Sequence, residues 1–441
     1  MVDKGASLND QRFLNIFHRK PIDSMALDNH RLLLIAEPNS YRIAAFLAAA
    51  TRLGLEVLIA SRGRHSLVSE VHDGIHIDLA DQASSLRVIA QQARATPFHG
   101  VLGIDDSTVE LAAKVARQIG LPHNLPAAAQ LTRRKDLARA HLAHAGCPIP
   151  LHWLINLDLP LEQQMTDIKF PCVIKPLALS GSRGVIRANN QQELITACKR
   201  IEPVLAEVRD PFEKRRLLVE MYISGEEVAF EGYLYHGELK TLVIFDKPDP
   251  LTGPYFEETI YVTPSSLSAR LQSTIRESVA AACKAYGLTT GPIHAELRVN
   301  GAQAWILEVA ARTIGGDCAR SLDNGDEFNL EKLVISLAVD REYRINPPTE
   351  ARGVMMIPIK QQGILRRVEG LSDANRVEHI ENIDIIIRSG NELVPLPEGN
   401  QYPGYIFARA DTPREVVAAL RRAYEKLNFV VAPIFNTRVV S

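Results

Sequence analysis

From Pro292 to Gly316 the chain reads PIHAELRVNGAQAWILEVAARTIGG, and no other stretch narrows its architecture as sharply. Ile293, Ala295, Leu297 and Val299 alternate with His294, Glu296 and Arg298, so a strand here buries one face and presents ionisable groups on the other. A second run, Ala304 to Val309, follows an Asn300-Gly301 turn signal, which predicts a β-hairpin. An odd loop, Asn300-Gly301-Ala302 or Gly301-Ala302-Gln303, puts Glu308 on the same face as Glu296, whereas a two-residue Asn-Gly loop puts them on opposite faces. The odd loop is the expectation, with a positive group between two carboxylates that otherwise repel. A shared Mg²⁺ suits two carboxylates, filling its other positions with water and phosphate oxygens. The competing reading is an exposed hairpin with two solvated glutamates. Arg312 followed by Gly315-Gly316, a planar cation beside a side-chain-free loop, favours an anion site instead.

Composition sets broad limits. A chain of 441 residues has room for two to four domains and a large core. With 50 Lys plus Arg against 52 Asp plus Glu, no global field draws it to nucleic acid or membrane, so an anion site must be local. Its 5 Cys are scattered, with neither a C-x-x-C pair nor a disulfide framework, as in a reducing compartment. The N-terminus lacks an apolar signal-peptide core and no run reaches the length of a membrane span, which predicts a soluble, cytoplasmic protein.

Residues 1 to about 30 form a polar arm. An apolar strand at Leu32–Ile35, a helix from about Ser40 to Leu53 closed by Gly54, and a strand at Leu55–Ile59 then predict a βαβ unit with a parallel sheet. The loop Glu37-Pro38-Asn39-Ser40 lacks the glycines of a dinucleotide fingerprint. Gly100 to Ile104 is a buried strand, and Asp105 and Asp106 after it are read as favouring the N-terminus of the next helix. Further on, Lys135 opens a basic helix start, Phe170 to Pro176 is a strand carrying Lys175, and Leu179 to Val185 is a small-residue loop whose backbone N–H groups suit phosphate. The strand from Leu217 ends at Glu220-Met221-Tyr222 in acceptors and open backbone suited to a base and a ribose. Phe245 to Tyr261 is a Pro/Gly-rich loop with Lys247. A final lobe from about Gly353 closes with a helix begun by Thr412-Pro413-Arg414-Glu415, a capping box.

Taken in order, Thr132 to Lys135, Val173 to Pro176, Ser180 to Gly184, Val219 to Ile223 with Gly225 to Glu227, and Glu296 with Glu308 and Arg312 resemble the ATP-grasp superfamily over nearly the full chain. The resemblance implies an α/β (partly α+β) ATP-grasp fold with an N-terminal parallel-sheet domain, a lid and a C-terminal lobe. Its expected limits are 1–125 for the Rossmann-like N-terminal domain, 126–345 for the core with a lid near 150–220, and 346–441 for the last lobe. It also implies that Lys135 and Lys175 contact ATP phosphates and that Ser180, Gly181, Ser182 and Gly184 cover them. Glu220, Met221 and Tyr222 would face adenine, Glu227 the ribose, and Glu296 and Glu308 would hold Mg²⁺, with Mn²⁺ as an alternative. Ala310 stands where many members carry a further metal-binding Asn.

His294 to Leu297, Glu308 to Arg312 with Gly315-Gly316, the Lys247 to Pro264 loop and Gly404 to Ala410 look most like the L-amino acid ligases. That resemblance implies an ADP-forming carboxylate–amine ligase acting on a small acid and a small amine, amino acids above all, and allows a homodimer. Arg312, Gly315 and Gly316 would stabilise the substrate oxyanion, and His294 would orient the amine, accept its proton or serve structure alone. The competing readings are a biotin-carboxylase-like or purine-pathway enzyme and a non-catalytic ATP-binding sensor.

Overall fold

The computed structural model describes residues 30–434 except 63–73, 326, 342, 344, 346 and 347. The polar arm, apart from its last residue, therefore lies outside the described residues. Four parallel strands, β1 (Arg31–Ile35), β2 (Glu56–Ser61), β3 (Gly74–His76) and β4 (Gly100–Gly103), form a sheet ordered β3-β2-β1-β4. All five residues of β1 are buried, as a parallel strand covered on both faces requires. Strand order reverses between β1 and β4, which opens a crevice at their carboxyl ends. The loop after β1 turns before the helix Ile43–Arg52 starts, later than the expected Ser40: Asp105 accepts from the Glu37 N–H at 2.9 Å and from Ser40 Oγ at 2.7 Å.

The lid is an antiparallel sheet, β5-β8-β6-β7, of β5 (His152–Asn156), β6 (Cys172–Pro176), β7 (Ile186–Ala188) and β8 (Arg216–Met221), packed on the helix Gln191–Ile201. Between it and the N-terminal unit runs the helix Lys135–His144.

The largest sheet has eight strands, ordered β13-β12-β9-β10-β11-β14-β18-β16. They are β9 (Glu226–Tyr235), β10 (Glu238–Asp246), β11 (Ile260–Thr263), β12 (Gly291–Asn300), β13 (Gln303–Ala310), β14 (Ala351–Met356), β16 (Ile380–Ile385) and β18 (Gly404–Ala410). The last three come from beyond residue 346, so the final lobe grows from the same sheet as the ionisable hairpin. Its separate part is the small sheet of β15 (Gly363–Glu369), β17 (Glu392–Leu393) and β19 (Asn428–Ala432). The helix Pro413–Lys426 begins with the predicted capping box of Thr412 and Glu415. On one face of the large sheet, Ile275, Val279, Ala282 and Tyr286 of the helix Ala269–Tyr286 recur at helical spacing and pack with Phe230, Ile293, Leu297 and Ile306. The opposite face carries the ionisable groups.

The hairpin departs from the odd-loop expectation. Asn300 pairs with Gln303, leaving a two-residue loop of Gly301 and Ala302. That loop alone would turn Glu308 away from Glu296. A β-bulge corrects the phase: Leu297 pairs with Ile306 and Glu296 with Glu308, so Leu307 is an extra, unpaired residue on β13. The two glutamates are therefore direct cross-strand neighbours, through an odd residue within the strand.

Gly225, in the turn between β8 and β9, has φ +113°, and a Cβ there would stand 2.1 Å from the Val299 carbonyl oxygen. Gly225→Ala should lose on the order of 3 kcal/mol or more by chemical denaturation, since strain and a backbone clash combine. Gly237→Ala, at φ +81° with open space around it, should cost only about 1 kcal/mol. Equal losses at the two sites would show that β12 does not press on the Gly225 turn.

Candidate active site

Pairing of β9 with β12 sets His294 opposite Glu231 and Arg298 opposite Glu227, with Glu296 between them. All point to one face because residues two apart on a strand share a side. His294 Nδ1 lies 3.2 Å from Glu231 Oε2, and its Nε2 lies 3.8 Å from Glu296 Oε1. Arg298 Nε donates to Glu227 at 2.9 Å. From the β10–β11 loop, Lys247 reaches over this face and places Nζ 2.9 Å from Glu227, 2.5 Å from Glu258 and 3.2 Å from Glu296. Burial opposes the Glu296 carboxylate, but Lys247 and His294 outweigh it and hold its pKa well below the usual range. Burial, with Glu296 alongside, pushes the Glu258 carboxyl up.

Glu220 was expected to face a base. Instead it is buried, accepting from Arg139 Nε at 2.5 Å and lying 2.6 Å from Lys175 Nζ. Burial opposes its charge, yet Arg139 and Lys175 bring its pKa down to about 2. Desolvation lowers the pKa of Lys175 despite that partner. The backbone also differs from expectation: the N–H groups of Met221 and Tyr222 donate to the Leu151 and Pro171 carbonyls, so neither is open to a base edge. Glu227 already accepts from both Lys247 and Arg298.

Lys135 opens its helix as expected, donates to the Leu179 carbonyl at 2.9 Å and lies 3.3 Å from Glu308. The loop of Ser180, Gly181, Ser182 and Gly184 adopts positive φ at 181, 182 and 184 and rests on the last lobe, with the Gly184 N–H on the Pro397 carbonyl at 2.8 Å.

At the carboxyl ends of β1 and β4 the structure corrects a further expectation. Asp106 does not serve the next helix; it receives Arg312 Nε at 2.7 Å. The partner of Arg312 is thus an aspartate of the N-terminal unit. The Gly316 N–H donates to Tyr41 Oη at 3.1 Å, and Arg42 donates to Thr313 Oγ1 at 2.6 Å. The sequence shows Lys247 only as a loop residue and Asp106 only as a helix-start residue, and it does not single out Glu258, Arg139 or Arg42. For Arg139 a signal existed, because it follows Lys135 by four positions on one helix face.

Most of these groups line a single cavity of about 760 Å³ that runs between lid, large sheet and N-terminal unit, while Lys247, Glu231 and Arg139 stand behind its wall. Glu227, Glu258 and Glu296 bring carboxylate oxygens within 4.8 Å of one another, but Lys247 already fills their centre. Glu296 and Glu308 are the better fit to a hard divalent cation: both offer only oxygen, stand opposite each other and keep about a quarter of each side chain exposed, 24% and 25%. Ala310, opposite His294, adds no ligand. Among the described residues no helix is long and apolar enough to cross a membrane.

Comparison with known proteins runs along these same elements. An ATP-grasp N-terminal domain matches residues 47–123, an ATP-grasp domain residues 168–321, and the L-amino acid ligase C-terminal domain 2 residues 355–432. The crystal structure of an L-amino acid ligase from Bacillus licheniformis superposes with a TM-score of 0.79 at 25% identity, covering 92% of this chain and 99% of that one. Human carnosine synthase 1 is 26% identical over 288 residues, 61% of this chain and 34% of that protein. Alanine–anticapsin ligase of Bacillus subtilis is 26% identical over 242 residues, 51% of this chain and 50% of that one. The chain thus spans a third to a half of the length of these two enzymes. Because the matched domains follow one another across the walls of the cavity, the chain belongs to the ATP-grasp superfamily. More particularly, its last lobe matches the C-terminal domain 2 of the L-amino acid ligases, and nearly the whole chain shares the fold of one of them.

Lys247→Met would remove the shared cation from three half-buried carboxylates and leave Glu258 without a partner, while Glu227 keeps Arg298 and Glu296 keeps His294. In chelator-containing buffer at pH 7 it should cost about 3–5 kcal/mol. The deficit should shrink toward pH 5. Burial already raises the folded-state pKa of Glu258 above the unfolded value, and without Lys247 nothing in that pair opposes it, so the stability Glu258 contributes when protonated is lost as pH rises. An equal deficit at both pH values in denaturation curves would contradict this charge balance.

Proposed function

We propose that the protein joins two L-amino acids: ATP activates the carboxylate of one as an acyl phosphate, and the amine of the other displaces phosphate to form a peptide bond. A carboxylate oxygen attacks the γ-phosphorus and ADP leaves. The amine then attacks the acyl carbon, and phosphate departs as the amine loses a proton. The supporting observation is that one cavity is lined at once by Lys135, Lys175 and the Ser180–Gly184 loop, by the Glu296–Glu308 pair, and by Arg312 beside the N-terminal loops. Its volume falls within the range of pockets that enclose organic ligands.

In this reading the ammonium groups of Lys135 and Lys175 bind phosphate oxygens, and the Ser180–Gly184 loop excludes water from them. Glu296 and Glu308 would hold Mg²⁺ or Mn²⁺, which would supply positive charge against the transferring phosphoryl group. The strand end at Met221 and Tyr222 contributes carbonyls and side chains to the adenine, and Glu227 faces the ribose. Arg312, braced by Asp106, grips the oxygens of the activated acid, with Gly315 leaving the approach clear. Burial lowers the pKa of His294, but Glu231 and Glu296 on its two nitrogens outweigh that and raise it. With Glu231 on one ring nitrogen and Glu296 facing the other, His294 positions Glu296.

A screen of amino-acid pairs for ADP release tests the reading; release driven by bicarbonate, or tight ATP binding with no turnover, would overturn it. Arg312→Lys replaces a fork with a point charge and should lose on the order of tenfold to a thousandfold in turnover, with ATP affinity near that of the parent. Near-normal turnover in a merely destabilised variant would remove Arg312 from the acid site.

A further inference from the structure

The cations that line the cavity are almost all paired. Arg133 lies 2.7 Å from Glu213, Lys135 3.3 Å from Glu308, Lys175 2.6 Å from Glu220, Arg183 2.8 Å from Glu207, Arg298 2.9 Å from Glu227 and Arg312 2.7 Å from Asp106. Arg42 is the exception: among the described residues no carboxylate lies within ion-pair distance of it. Four carboxylates, Asp105, Asp106, Asp317 and Glu331, lie close enough to feel its charge, yet none pairs with it: Asp106 holds Arg312, Asp105 accepts from the Glu37 N–H and Ser40 Oγ, and Asp317 faces Arg320.

The Arg42 side chain is nevertheless held in place. Its guanidinium lies 5.2 Å from the Tyr41 ring centre and donates to Thr313 Oγ1. The loop that carries it is clamped by Asp105, and Ser107 Oγ donates to Glu37 at 2.8 Å. Another guanidinium nitrogen, Nη2, stands 3.8 Å from the point where a side chain at Gly315 would begin, and Gly315 has none. A half-buried, oriented guanidinium that faces an open approach, with no described carboxylate in ion-pair contact, is built to receive an anion.

The proposed ligation says which anion is missing, and this inference rests on that reading. The carboxylate that becomes the acyl phosphate meets the transferring phosphate beside the lysines and Arg312. The carboxylate of the amine donor stays ionised and unreacted throughout, so it needs a cation of its own beside the acid site. We propose that Arg42 binds the carboxylate of the amine-donating amino acid and so restricts that subsite to free α-amino acids.

The test takes the amino-acid pair that gives the fastest ADP release, and the same pair with the amine donor supplied as its α-carboxamide. The parent protein should discriminate against the carboxamide. Arg42→Gln should raise the KM for the amino-acid donor on the order of ten- to a hundredfold, leave the KM for ATP and for the acid near parental values, and abolish most of the preference for carboxylate over carboxamide. Arg42→Lys, which keeps the charge but not the fork, should fall between. Melting curves identify a variant that fails to fold, and then the discrimination by the parent protein decides: equal use of the two donors by the parent overturns the inference, as does full discrimination retained by a folded Arg42→Gln. If no amino-acid pair drives ADP release in the parent, the ligation reading itself fails and this inference falls with it.

Discussion

The single extra residue at Leu307 is the constraint on which the site depends. A two-residue turn would point Glu308 away from Glu296, and the bulge turns it back. Such a residue leaves its backbone without a ladder partner, and here the Leu307 carbonyl accepts from Arg139 Nη2 at 2.5 Å. Arg139 in turn holds Glu220, and Glu220 holds Lys175. One chain of contacts therefore runs from the hairpin of the large sheet, through the helix Lys135–His144, to the lid strands. The feature that pairs the carboxylates also fixes the lysine across the cavity.

The electrostatics follow one pattern. Buried charges are costly alone, and nearly every one here has a partner of opposite sign. Lys247 among three glutamates and Arg139 with Lys175 on Glu220 are the two dense nodes. Lys135 with Glu308 is looser, at 3.3 Å and more exposed. That grading suits a site that must exchange partners: the tight nodes preserve geometry while the looser pairs can part as phosphate and a divalent cation enter. The lid loop, resting on the last lobe through Gly184 and Pro397, is fixed by the neighbour that extends the same large sheet.

Local signals carried far. The continuous apolar run of β1, the alternation through Ile293 to Val299 and the Thr412–Glu415 cap were legible because each is decided within a few residues. The bulge was not, since its backbone is satisfied by partners far away in the sequence, Arg139 on the Leu307 carbonyl and the Pro148 carbonyl on the Ile306 N–H. The Asp106–Arg312 pair spans 206 positions, so Asp105 and Asp106 read as ordinary residues ahead of a helix. Glu220 sat in the right strand, but its burial against two cations inverted the part assigned to it. Lys247 could be seen in its loop, though nothing in the loop's composition announced that it would fold back onto three glutamates.

The central claim is that the acid is activated by phosphorylation before the amine attacks. The direct measurement uses an amino acid labelled with ¹⁸O in its carboxylate as the acid, with unlabelled amine donor, ATP and water. Because one carboxylate oxygen becomes the bridge of the acyl phosphate and leaves with phosphate, each turnover should deliver one ¹⁸O to inorganic phosphate and retain the other in the peptide bond. Peptide formed alongside unlabelled phosphate would contradict the account, as would label released in AMP.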